Sequence, residues 1–150
     1  MLSQIKLQIA CAVGCLVFGC KGQPLERDFF NKPLDDRLER LRQYSLEDQY
    51  KIFRYGNDKI EPPLMDLADP IAERGQTAIS FLVDQLNSNA DDLTVRDILL
   101  IFQTMASSKS YDVKHDAAVM AVLTSKVSGM KREGWRTICL DMVQGIKDSK

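Results

Sequence analysis

Apolar residues return along most of this chain at helical spacing. Leu34, Leu38 and Leu41 stand at i, i+4 and i+7 and share one helix face. Pro33 suits a first turn, and Asp35 and Asp36 favour the positive end of a helix dipole, so a first helix is predicted over about 34–43. Ser45 opens "SLED", a capping-box-like start, and a second helix carries Leu46, Tyr50 and Phe53 to about Gly56 or Asn57. "KIEPP", Lys59 to Pro63, breaks the pattern because each proline biases its predecessor away from helix.

A third face, Leu64, Leu67, Ala68 and Ile71, runs through Pro70, which should kink the helix or restart it with Asp69 as cap. Gly75 is the natural left-handed terminator, and Ile79, Leu82, Val83 and Leu86 follow on another amphipathic face. Thr94 begins a helix with Val95, Ile98, Leu99, Phe102 and Met105 on one side, widened by Leu100 and Ile101. The next helix, 112–128, capped by Asp112 or Ser110, is apolar around most of its circumference, so these two are the expected centre of the core. A last helix carries Trp135, Ile138, Cys139, Met142, Val143 and Ile146.

No sustained apolar alternation bounded by turn signals is found, so the fold class is all-α, with about six helices in antiparallel hairpins. "PLMDLADPIAERGQTAISFLVDQL", a kinked helix, a Gly turn and an apolar helix, resembles a HEAT-type hairpin. That resemblance implies a short right-handed array of stacked pairs; an irregular helical bundle is the alternative.

The N-terminus follows different rules. Leu7 to Gly19 is apolar apart from Gln8, and Lys6 is the only charge before it. A spanning helix needs roughly 20 such residues, so the run has the length of a secretory signal's apolar region. "VFGC", Val17 to Cys20, resembles the bacterial lipobox. The resemblance implies cleavage after Gly19 and a diacylglyceryl group on the sulfur of Cys20. The rival "AVGC", ending at Cys15, leaves too short an apolar run. Residues 1–19 are then a cleaved signal peptide, 20–33 a tether and 34–150 the helical domain. Phe29 and Phe30 are the exception within the tether, and at least one is expected to dock on the domain. Lipid on Cys20 anchors the chain, each buried methylene contributing about 0.8 kcal/mol. Lys21, being other than Asp, implies passage to the outer membrane in the lipoproteins it resembles, with the domain facing the periplasm.

Cleavage also removes Lys6, taking the net charge from −1 to −2. No basic field of the kind that recruits nucleic acid remains. Only Cys139 is then left free, so no intramolecular disulfide forms and packing must supply the stability.

Candidate chemistry is sparse. His115 is the only histidine, which excludes two-histidine metal motifs, and a half-buried structural role outweighs a catalytic one. Cys139 lies in an apolar stripe, where a thiol is inert. No phosphate loop and no G-x-S-x-G elbow occurs, so no catalytic residue, metal or cofactor is assigned. The segment Tyr44 to Pro63 stands out, holding three of the four tyrosines. Tyr50 and Phe53 read as core. Arg54, Tyr55, Asn57 and Pro62 form a candidate interaction patch, because Tyr and Arg are enriched at binding hot spots. These features together point to a lipid-anchored, non-catalytic protein-interaction module with a partner in the cell envelope, of inhibitor or immunity type. The alternative is a small enzyme or ligand-binding protein with its site near His115 or Tyr55.

Overall fold

The computed structural model of the protein describes residues 24–149, apart from 34 and 89. Among these residues the chain is all-helical. Leu25–Phe30 forms α1, Arg37–Arg42 α2, Leu46–Lys59 α3, Asp69–Ala72 α4, Gln76–Asn87 α5, Asp92–Ser108 α6, Ala117–Ser128 α7 and Glu133–Lys147 α8. Short 3₁₀ turns cover Met65–Ala68 and Val113–His115.

The doubled apolar stripe of α6 makes it the axis. Val95, Ile98, Leu99, Ile101, Phe102 and Met105 are buried around it, and α3, α4, α5, α7 and α8 all lie against it. Its fullest partner is α8, which sets Cys139, Val143 and Ile146 into the core.

The start and stop signals act largely as the sequence implies. Ser45 Oγ accepts the backbone N–H of Asp48 at 3.2 Å and caps α3. Pro70 sits in the first turn of α4 after the 3₁₀ turn, so the chain restarts there. Gly75 holds φ +52°, and a Cβ would come within 2.5 Å of the Ser110 carbonyl oxygen.

Five expectations need correction. Residues 25–30 are helical and part of the domain: Phe29 is buried beneath α3, and Phe30 stacks on Tyr55 with ring centroids 5.5 Å apart. Both rings therefore dock, and the reading of 20–33 as tether fails for this part; residues 20–23 lie outside the described residues. The first predicted helix begins only at Arg37, because Asp36 takes a left-handed φ of 59°. Ion pairs then hold α2 to the chain around α4, Arg37 to Asp66 and Arg42 to Glu73.

Helix α7 is peripheral rather than central. Only Val119, Leu123 and Val127 are buried, at i, i+4 and i+8, while Ala117, Ala118 and Ala121 face outward. It also begins late. Asp116 accepts the backbone N–H groups of Ala118 and Val119 at 3.1 and 3.0 Å, so it outcompetes Asp112 and Ser110 as cap. Last, Ile138 departs from the α8 stripe and remains 49 % exposed.

Candidate functional site

Helix periodicity places Tyr50 and Arg54 one turn apart on α3, facing the first turns of α6. Asp91 caps α6 by accepting the Thr94 N–H at 2.7 Å, which fixes Thr94 at the mouth of the α3–α6 contact. Arg54 Nη1 donates to Thr94 Oγ1 at 2.5 Å. One turn deeper stands Asp97, with a side chain only 1 % exposed.

Three side chains converge on this carboxylate. Arg96 donates through Nη2 and Nε to Oδ1 at 2.5 and 2.8 Å, and Asn57 Nδ2 donates to the same oxygen at 3.2 Å. Arg54 Nε lies 3.1 Å from Oδ2, close enough for an ion pair but not aligned as a hydrogen bond. Arg96 also lies over the Trp135 ring, 4.8 Å from its centroid, which brings α8 into the network. Burial pushes the Asp97 carboxyl above its ordinary value, and Arg96, Arg54 and Asn57 act against that rise. The Thr94 hydroxyl and backbone hold the Asp91 carboxyl below its usual range.

A cleft of about 430 Å³ opens over this network. It is lined by Tyr50, Lys51, Arg54 and Tyr55 of α3, by Ser88 and Thr94, and by Glu26 of α1. Tyr50 is 7 % exposed, and its ring packs edge-on to Phe81 with centroids 5.4 Å apart. Its hydroxyl is buried beside the Arg54 guanidinium. Burial raises the Tyr50 pKa, partly offset by the charge and the hydrogen bond of Arg54, so the phenol stays protonated at neutral pH.

The structure divides the predicted patch. Arg54 and Tyr55 come together on the cleft wall, but neither faces freely outward: Arg54 is held by Asp97 and Thr94, and Tyr55 stacks on Phe30. Asn57 is buried behind the wall at 7 % exposure, spent on Asp97. Pro62 is exposed, follows a cis peptide bond and does not line the cleft.

His115 lies in the 3₁₀ turn before α7, and its side chain is exposed rather than half-buried. Its Nδ1 lies 2.7 Å from an Asp112 oxygen, beside a separate cleft of about 360 Å³. Cys139 is fully buried, and burial pushes its thiol up to about 11, so it is not a nucleophile at neutral pH. Cys20 lies outside the described residues.

Sequence reasoning missed Asp97, Arg96 and Thr94. One signal for Asp97 was available: it stands between Val95 and Ile98 in the most apolar stripe of the chain, where a lone carboxylate must find partners. Compared with protein-family models, with curated proteins and with solved structures, the chain finds no match.

Proposed function

We propose that this protein is a lipid-anchored envelope protein, attached through Cys20 and facing the periplasm from the outer membrane, that recognises a protein partner at the α3–α6 cleft without catalysis. An inhibitor or immunity role, in which one surface is committed to one partner, fits that build. The observation that carries the reading is that Arg54 and Tyr55, the two hot-spot residue types singled out in the sequence, lie together on the wall of one open cleft with Tyr50 and Thr94.

Chain length supports an anchored module. Leu25 begins α1, and the five steps from Cys20 span at most about 18 Å when fully extended. Glu26 borders the cleft, so a lipid on Cys20 keeps the cleft close to the membrane surface. The partner is then met at the membrane rather than far from it.

Two measurements test the proposal. Mass analysis of the N-terminus should find Cys20 acylated, with Cys20→Ala abolishing anchorage and Cys15→Ala leaving it intact; an unmodified Cys20 overturns the anchor. Affinity capture from envelope extract should retain a protein that Lys51→Glu/Ser88→Arg fails to retain, both positions being exposed on the cleft walls. Equal retention by the folded double variant removes the cleft as the recognition surface.

A further inference from the structure

Four consecutive apolar residues, Pro62, Pro63, Leu64 and Met65, follow α3 on the surface. Pro62, Pro63 and Met65 are exposed, and Leu64 is half-buried. Met65 is 60 % exposed, more than Ile138 or Leu140, the other large apolar side chains left in water among the described residues. Its neighbours Leu67 and Ala68 make the core contacts of this turn, so Met65 is not spent on packing. An exposed apolar run of this length is disfavoured unless something covers it.

The position of the run points to its cover. Leu64 and Phe30 both come within 3.6 Å of the point where a Gly56 Cβ would stand, so the run lies against the last residue of α1. At the other end of α1, Glu26 lines the cleft together with Asp58 and Lys59, which close α3 just before the run. The chain therefore leaves the fold beside this surface. From Leu25 back to Cys20 it reaches at most about 18 Å, so a lipid on Cys20 holds a bilayer next to it.

We propose that Pro62 to Met65 form a membrane-contact surface, seated among the headgroups and upper acyl chains of the bilayer that carries the Cys20 lipid. This rests on the reading of Cys20 as the anchor and adds which face of the domain turns to the membrane. A bilayer suits the run better than a protein does. It asks only for apolar area, and these four side chains offer no donor or acceptor for a partner to match. The contact is apolar rather than electrostatic, because Glu61 beside the run is an exposed acid that opposes anionic headgroups. A lipid tether alone leaves the domain free to swivel. The second contact fixes the direction in which the cleft, lined as far as Lys59, meets its partner.

The test uses the full chain as cells produce it, with ¹³C-labelled methionine methyl groups, mixed with phosphatidylcholine nanodiscs whose lipids carry a doxyl spin label near the headgroup. The Met65 methyl should relax several-fold faster than those of Met120 on α7 and Met142 on α8, helices that pack against α6 and each other. The difference should persist in about 1 M salt, where charges are screened beyond about 3 Å. Pro63→Asp, at an exposed position, should bring Met65 to the level of the other two while leaving their signals in place. If the chain is acylated and stays with the discs but Met65 relaxes no faster than Met120 and Met142, the surface falls and the anchor stands. An effect lost in salt, or unchanged by Pro63→Asp, overturns the proposal too. A Met65 shift that varies with protein concentration in micelles assigns the run to a second copy and also overturns it. An unmodified Cys20 with no chain on the discs removes the anchor, and the surface with it.

Discussion

Arg54 and Asp97 join α3 to α6 across the floor of the cleft, with Nε 3.1 Å from Oδ2 and the carboxylate only 1 % exposed. Both partners gain from the pairing. Asp97 is removed from water and would be stranded without cations, while Arg54 is fixed in the cleft wall between Asp97 and Thr94.

Asp97→Asn keeps the shape and removes the charge, leaving two guanidiniums without a counter-ion. Breaking a buried pair costs about 3–5 kcal/mol. The arginine side chains are 25 % and 19 % exposed and burial of the carboxylate itself opposes the pairing, so the loss expected by urea denaturation is only about 1 kcal/mol. A change below about 0.5 kcal/mol would mean that the network does not hold α3 to α6.

Acid should weaken the fold partly through Asp91. Its folded pKa lies below the unfolded value of 3.8 because the Thr94 hydroxyl and N–H favour the carboxylate. It therefore adds stability above 3.8, and that stability is lost as pH falls through the folded value. Asp91→Asn preserves a competent cap but does not titrate there. Melting temperatures followed from neutral pH downward should fall less steeply in this variant; parallel curves would remove Asp91 from the acid response. Asp97 acts with the opposite sign. Its raised folded pKa makes its contribution more favourable at low pH, fading as pH rises from 3.8 through the folded value.

Close packing of the Met65–Ala68 turn, and of α1, on α3 depends on Gly56. A Cβ there would lie 2.7 Å from Leu67 Cδ1 and 3.2 Å from Phe30 Cζ. Gly56→Ala should therefore cost about 1–3 kcal/mol by overpacking. Gly134 is the contrast, a helical glycine whose added Cβ would meet nothing within 4 Å. Gly134→Ala should stabilise by about 0.5 kcal/mol. Thermal unfolding of the two variants checks the pair, and equal effects would contradict the placement of α1.

Local rules were legible in the sequence wherever a single helix decides the outcome. The Ser45 cap, the restart at Pro70, the turn at Gly75 and the buried face of α6 all follow from spacing and side-chain chemistry. What escaped depends on neighbours. The alanine-rich circumference of α7 resembles a core helix, yet small side chains are equally tolerated outside, and only its packing shows that one narrow face is used. Tyr50 was recognisable as core. That its hydroxyl is buried beside Arg54 under the cleft required Arg54, Thr94 and Phe81 to be placed around it. Asn57, read at the end of a helix as part of the candidate patch, is drawn inward because Asp97, forty residues away in sequence, needs a donor.

Recognition at the α3–α6 cleft is tested most directly by site-specific photo-cross-linking in intact cells. A benzoylphenylalanine replaces Lys51, exposed on the cleft wall, or Lys147, exposed at the end of α8. A discrete protein adduct is expected from position 51, absent from position 147 and lost when Cys20→Ala releases the anchor. An adduct from position 147 with none from position 51 would contradict it.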